Sequence, residues 1–366
     1  MEPGKFGFIV HPMDLGQIHS KFSFTRRLPD GLVNRLMQFS PPVDVAHVTG
    51  IKTPVNEAEG WFVGIPLTTR QMVQLPERYV LGKVVAAARR AERLGARIIG
   101  LGAFTAVVGD AGVTVAQRLK AGITTGNSYT VAAALEGARE GAKRMGIDPS
   151  RAEVVVVGAT GSIGAACARV LARDTRHLTL VGRNEARLDR LAREIAAESG
   201  LVCKISPEID RILPRADIVI AVSSAVEAII KPEHLKPGAV VCDVALPRDV
   251  DERVAGARDD VLVIDGGVIS LPGNVDLRFD FGFPRSTAMA CMSETILLSL
   301  ENRYDDYTLG RDLTVERIDE ISRLAKKHGF QLAGFRSFHR ALDDAAVERI
   351  RDNAWRKRQV LSRQTV

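Results

Sequence analysis

Two stretches of the chain hold residue types that do chemistry. Residues 153–164 read EVVVVGATGSIG. The valine run Val154–Val157 has the continuous apolar character of a strand covered on both faces. Gly158, Gly161 and Gly164 follow at intervals of three, and Ala165–Leu171 continues as an apolar helix-forming stretch. In a strand–turn–helix of this kind, bare glycine backbone and the N–H groups at the positive end of the helix dipole receive a dinucleotide pyrophosphate. Gly158, Ala159, Thr160, Gly161, Ser162, Ile163 and Gly164 are therefore candidate cofactor contacts. The spacing is GxxGxxG rather than the usual GxGxxG, and glycine that serves only tight βα packing is the competing reading. The second stretch is STAMACMSE at residues 286–294, with Cys291 near the head of an apolar helical run. A thiol near a helix N-terminus can have a lowered pKa and a larger thiolate fraction. A single cysteine on an apolar helix is ordinarily core. The residues alone leave both readings open.

A nicotinamide cofactor needs further contacts at the ends of the following strands. A site for NAD usually carries Asp or Glu at the end of the second strand, against the ribose 2′-hydroxyl. Here that strand ends in Gly182-Arg183-Asn184, with Glu185 soon after and Arg187 one turn later. A guanidinium fork suits a 2′-phosphate, so NADPH is expected, with Arg183 and Asn184 as contacts. Ser223, at the end of the fourth strand, and Gly266, at the end of the sixth, are the remaining cofactor candidates. Tyr79 and Lys83 have the spacing of a short-chain dehydrogenase pair, but they precede the glycine turn, whereas that class carries the pair after it.

These residues need an α/β scaffold. From Glu153 onward, apolar strand-like runs at 153–158, 177–182, 202–206, 217–222, 239–244 and 261–265 alternate with helical or turn segments. That pattern predicts a Rossmann-like doubly wound parallel sheet with ligand at the strand carboxyl ends. Before it, strand-like pieces at Lys5–Val10 and Arg97–Leu101 and helical ones at Leu32–Phe39 and Tyr79–Leu94 predict an α/β substrate domain. A polar loop, Thr124–Thr130, precedes an alanine-rich helix over Val131–Met145. After Gly267 the pattern changes to a loop at Phe279–Pro284 and helices at Thr287–Leu300, Val315–Lys327 and Leu342–Val360. The expected domains are 1–125 for substrate, 126–282 for NADP(H), and 283–366 as a C-terminal helical region carrying Cys291 and a basic tail.

Composition narrows the class. The chain has 366 residues, 46% hydrophobic and 26% charged, with net charge +6. Much of that excess lies in the last 36 residues, which hold eight basic and four acidic side chains. A local tail of this kind argues against nucleic acid as a partner. It is open to an acidic protein or an anionic lipid surface, as peripheral membrane contact. Cys167, Cys203, Cys242 and Cys291 lie far apart with no CxxC pair, so no metal site is indicated and the thiols read as reduced, cytoplasmic ones, Cys203 and Cys242 in buried strands. No run of about 18 apolar residues occurs, so no transmembrane segment is expected.

In this order, the chain resembles the long-chain acyl-[acyl-carrier-protein] reductases, which make fatty aldehydes. The resemblance rests on FGFIVH at 6–11, LGAFT at 101–105, TTGNSYT at 124–130, GAKRMGID at 141–148, the glycine turn, Met289-Ala290-Cys291, Glu294–Leu298 and Lys327-His328-Gly329-Phe330. It implies that Cys291 takes an acyl group from a thioester of acyl carrier protein or coenzyme A and that NADPH reduces the resulting acyl-enzyme to aldehyde. It also implies lipid metabolism as the setting, and leaves open whether the aldehyde is released or handed to an aldehyde-consuming enzyme as a further partner. A divalent-metal requirement stays open. Two other readings share the pattern: a two-domain NADP-dependent dehydrogenase of shikimate or reduced-pterin type with no covalent intermediate, and an NADPH-sensing regulator that turns nothing over.

Overall fold

The computed structural model describes residues 2–364 except 226, 246, 274, 280 and 281. Part of the expected Phe279–Pro284 loop therefore lies outside the described residues. The chain divides into two compact units. One comprises Met1–Tyr129, Ile269–Asp312 and Glu320–Gln331, and the other Thr130–Val268, Leu313–Asp319 and Leu332–Val366.

The first unit is built on a five-stranded sheet of β1 (Gly4–Val10), β2 (Val43–Lys52), β3 (Glu57–Gly64), β4 (Ile98–Leu101) and β5 (Gly122–Thr124), in the order β2-β3-β1-β4-β5. Only the β2–β3 pair is antiparallel. Strand side chains alternate between faces, and β1 uses this fully. Gly7 faces helix Glu77–Leu94, where an added Cβ would lie 2.8 Å from that of Ala91. Gly4 faces the other side, where a Cβ would lie 2.0 Å from the Ser299 carbonyl oxygen of helix Ala290–Leu300. Gly100 of β4 likewise makes room for Thr295, at 2.1 Å from its Oγ1. The apolar helix Ala290–Leu300 is thus seated on glycine, and every residue of it but Cys291 is buried.

The second unit holds a six-stranded parallel sheet of β6 (Glu153–Val157), β7 (His177–Val181), β8 (Lys204–Ser206), β9 (Ile218–Ala221), β10 (Val240–Asp243) and β11 (Leu262–Asp265). Its order is β11-β10-β9-β6-β7-β8, the doubly wound order in which the direction of winding reverses between β6 and β9. Pairing is in register from Val154↔Ile218 to Val157↔Ala221. The glycine turn leaves β6 at this switch point.

Several expected boundaries shift. Residues 283–366 are not a region apart. Residues 283–312 join the first unit because their helix needs the glycine seats of β1 and β4. The terminal helix Asp344–Gln364 joins the second, burying Val347 and Ala354 against Val240, Leu262 and Ile264. That helix begins at Asp344 because residues 335–342 form a short hairpin. Helix Asn127–Arg144 starts four residues earlier than its apolar pattern indicates and Thr124 ends β5, so the polar loop is only Thr125–Gly126. Thr287–Met289 is a strand, and helix Ala290–Leu300 follows it. Cys203 precedes β8 instead of lying in a buried strand, and its neighbour Val202 is 83% exposed.

Candidate functional site

The glycine turn uses its three glycines for three different reasons. Gly158 has φ +81, and a Cβ there would lie 2.7 Å from the Ser223 Cα. Only glycine takes this left-handed conformation without strain and lets β6 turn against the end of β9. A Cβ on Gly164 would lie 2.3 Å from the Gly158 carbonyl oxygen, so this position sets how closely helix Ser162–Leu171 approaches the turn. Gly161 is less crowded, with that oxygen at 3.3 Å, and forms the helix N-cap with no side-chain hydrogen bond. Bare backbone and an uncapped helix start are what a pyrophosphate requires, and the cradle fits one. Ala159, Thr160, Ser162 and Ile163 complete it.

The end of β7 carries the cationic edge. The Asn184 side chain caps helix Glu185–Ser199 by accepting the Arg187 N–H at 3.0 Å. Arg187 Nη2 donates to the Thr160 carbonyl at 2.9 Å, which lays its guanidinium against the glycine turn. Arg183 and Arg187 are both exposed, and neither is in an ion pair among the described residues. At β9, Ser223 donates its hydroxyl to Asp249 Oδ1 at 2.5 Å and its N–H to Oδ2 at 2.7 Å. Its side chain therefore holds its own turn, and what it offers the cradle is backbone. Gly266 closes tightly on β10, donating to the Asp243 carbonyl at 2.8 Å; a Cβ there would lie 2.9 Å from Val244 Cγ2. Asp243 accepts from the N–H groups of Ala245 and Val250 at 3.1 and 3.0 Å. Burial outweighs these donors and raises its carboxyl to about 6.

Cys291 lies in the other unit, within a cluster drawn from five parts of the chain. It is the second residue of helix Ala290–Leu300 and remains partly exposed. Gly126, at φ +75, closes on it: a Cβ there would lie 2.3 Å from Cys291 Cα. The buried carboxylate of Glu294 accepts from Thr124 Oγ1 at 2.5 Å, Thr308 Oγ1 at 2.8 Å and the Tyr129 N–H at 2.8 Å. It thereby holds the Thr124–Gly126 segment to the helix start. Ser128 adds a hydroxyl contact to Thr308 at 2.9 Å. Burial pushes the Cys291 thiol up to about 12, the Met292 N–H opposes this, and the Glu294 charge adds to the rise. The Ala103 backbone also opposes the rise, by less. Ala103 sits at φ +48, a strained position for a residue with a Cβ. Next to it, the Phe104 N–H donates to His11 Nε2 at 3.2 Å, while His11 Nδ1 lies 3.1 Å from the Pro12 carbonyl. Burial lowers the His11 pKa, so the ring is neutral and its Nδ1 carries the proton.

The helix start therefore does not lower the thiol's pKa in the free chain; desolvation wins. His11, Ala103 and Thr124 stand within stretches of the resemblance, but their contacts are not written in local sequence, and nothing local marks Thr308. The buried His328 bridges Thr53 Oγ1 at 3.0 Å and Glu301 at 2.5 Å, a structural tie. Tyr79 and Lys83 donate to the carbonyls of Gln38 and Ser40 at 2.5 and 2.8 Å and serve packing too.

Comparison with known proteins agrees with this architecture. The family model for shikimate/quinate 5-dehydrogenase matches residues 140–265, within the second unit. With the sheet order and the glycine cradle, it marks the second unit as a Rossmann-like NAD(P)-binding domain. The chain is similar to a long-chain acyl-[acyl-carrier-protein] reductase of Synechococcus elongatus, 28% identical over 344 residues, covering 89% of this chain and 98% of that protein. It is also 30% identical over 362 residues to the aminotransferase PigE of Serratia sp., across 94% of this chain and 41% of PigE. The chain thus spans less than half the length of that relative. Among solved structures, quinate dehydrogenase from Corynebacterium glutamicum in complex with NAD is 14% identical with a TM-score of 0.38, covering 88% of this chain and 99% of that one. No helix among the described residues is long and apolar enough to cross a membrane.

Proposed function

We propose that the protein reduces long-chain acyl thioesters to fatty aldehydes with NADPH, through an acyl group carried on Cys291. The observation that carries this reading is the Cys291 cluster: a partly exposed cysteine at the start of an otherwise buried helix, with the Ala103 and Met292 backbone N–H groups favouring its thiolate. Similarity to the Synechococcus protein along nearly its whole length supports the same reading. The acyl donor is a thioester of acyl carrier protein or coenzyme A.

The free thiol holds its proton at neutral pH and must shed it as the acyl carbonyl arrives. The sulfur then attacks that carbonyl and the donor thiol departs with a proton, so one C–S bond forms and one breaks. Backbone N–H donors aimed at the sulfur favour its negative form at that moment. His11, with both ring nitrogens engaged, positions the Ala103–Phe104 backbone and is not the base. NADPH, with its pyrophosphate received at Gly158, Gly161 and Gly164, would supply the hydride; as aldehyde forms, the bond between Cys291 sulfur and the acyl carbon breaks and the thiolate takes up a proton. Arg183 and Arg187 would hold the 2′-phosphate, and no acid at the end of β7 opposes it.

A dehydrogenase without a covalent intermediate is the second reading. The family match over residues 140–265 and the raised thiol pKa favour it. Intact mass separates the two after the protein is mixed with a long-chain acyl thioester and no nicotinamide. An acyl adduct on the wild type and none on Cys291→Ala is the expected result. No adduct, or equal adducts on both proteins, refutes the covalent reading.

A further inference from the structure

Helix Asp30–Phe39 in the first unit is apolar on two faces. Val33 and Met37 are buried, whereas Leu32, Leu36 and Phe39 form an exposed stripe at i, i+4 and i+7, with Phe39 70% exposed. Adjoining segments extend it. Phe22 and Phe24 are exposed, their rings 6.3 Å apart, and so are Met13 and Val73. Hydrogen bonds hold these pieces together. Gln71 Nε2 donates to the Asn34 carbonyl at 2.9 Å, Thr69 Oγ1 reaches Met13 Sδ at 3.8 Å, and His19 lies 2.8 Å from Thr25 Oγ1 and 3.6 Å from Asp30. Soluble proteins seldom leave so many large apolar side chains together in water without a partner for them.

The charges around this face identify the partner. Lys21, Arg26, Arg27, Arg35 and Arg70 are all exposed among the apolar side chains, and Arg35 falls within the stripe itself. None of the four arginines is in an ion pair among the described residues. The nearby acids are engaged: Asp14 caps helix Leu15–Lys21 through the Gln17 N–H, and Asp30 faces His19. Phenylalanine and leucine with interleaved arginine and lysine is the composition that lies in a bilayer interface rich in anionic lipid. We propose that this face, residues 13–39 with 69–74, docks the protein on an anionic bilayer. The choice of a bilayer over an acidic protein rests on the proposed function, since a long-chain aldehyde leaves far more readily into lipid than into water.

The test is co-sedimentation of the full chain with vesicles, with neither thioester nor nicotinamide present. The protein binds vesicles of phosphatidylcholine mixed with phosphatidylglycerol and not phosphatidylcholine alone. Leu36→Asp with Phe39→Asp abolishes binding, and Arg26→Gln and Arg27→Gln each weaken it about fivefold. All four positions are exposed, so the variants should keep the wild-type thermal midpoint, which is measured alongside. Formation of the Cys291 adduct with a water-soluble acyl thioester is followed in the same proteins. Its retention while vesicle binding is lost separates the docking face from the chemistry. Absence of wild-type binding, or equal binding by the Asp variant, overturns the proposal. So does a wild-type dimer that the Asp variant converts to monomer without any vesicle binding, since a second copy would then be the partner.

Discussion

Gly126 and Gly158 share a left-handed backbone, at φ +75 and +81, and serve opposite ends. Gly158 turns the chain away from β6 and leaves bare backbone for a ligand, in a cradle made from a dozen consecutive residues. Gly126 brings the chain in, pressing a loop onto Cys291 in a cluster assembled from His11, Ala103–Phe104, Thr124–Tyr129, Cys291–Glu294 and Thr308. One site is a local motif that opens space. The other is a tertiary assembly that fills it, which is also why desolvation governs its thiol. Damage to the two should therefore separate: changes at the cradle should alter nucleotide binding and spare acyl transfer, and changes at the cluster should do the reverse.

Cys291→Ala gives the largest separation. Turnover of an acyl thioester should fall by about three orders of magnitude or more, while NADPH affinity by calorimetry stays at the wild-type value. The paired glycine variants come next. Gly126→Ala combines a strained φ with a Cβ inside contact distance of Cys291, and should lower stability by about 2–4 kcal/mol on denaturant unfolding and slow adduct formation. Gly158→Ala should weaken NADPH binding and leave adduct formation intact at a temperature where it is folded. If either glycine variant damages both functions equally while folded, the division between the sites is wrong.

The remaining effects are nearer tenfold. A thiol raised to about 12 is protonated throughout the neutral range, so its reactive fraction grows with pH. Adduct formation at Cys291, followed by intact mass, should accelerate about tenfold per pH unit from about 7 to 9 with no plateau. A plateau near neutrality would mean that substrate binding lowers the thiol pKa, and the cluster would then be less desolvated than the free chain indicates. At the cradle, Arg183→Ala and Arg187→Ala should each weaken NADPH binding roughly tenfold, the worth of one charge-assisted hydrogen bond, and leave NADH binding nearly unchanged.

How much of this was legible in the sequence follows the same division. The Val154–Val157 run and the glycine turn announced the cradle because strand, turn and helix start are neighbours in the chain. The repeated βα units announced a doubly wound parallel sheet, and the order β11-β10-β9-β6-β7-β8 is one. Strand β2 escaped notice because its alternation is broken by bulges between Asp44 and Ala46 and between Val48 and Ile51. Cys291 could be singled out by context, but the sign of its pKa shift could not. That sign depends on burial of the sulfur, to which the distant Gly126 contributes by packing on Cys291, and spacing does not reveal contacts between residues 165 positions apart. Thr308 illustrates the same limit, since its hydroxyl matters only because Glu294 and Ser128 reach it.

The central claim is that the acyl group rests on Cys291 before hydride reaches it. The most direct test is a single turnover. Protein carrying one acyl group on Cys291, freed of excess thioester, is mixed with NADPH deuterated at the transferable C4 position. The adduct mass should disappear at the rate at which aldehyde forms, one aldehyde per acyl group, each with deuterium at C1. An adduct that persists while free thioester is reduced, or aldehyde without deuterium, would contradict the account.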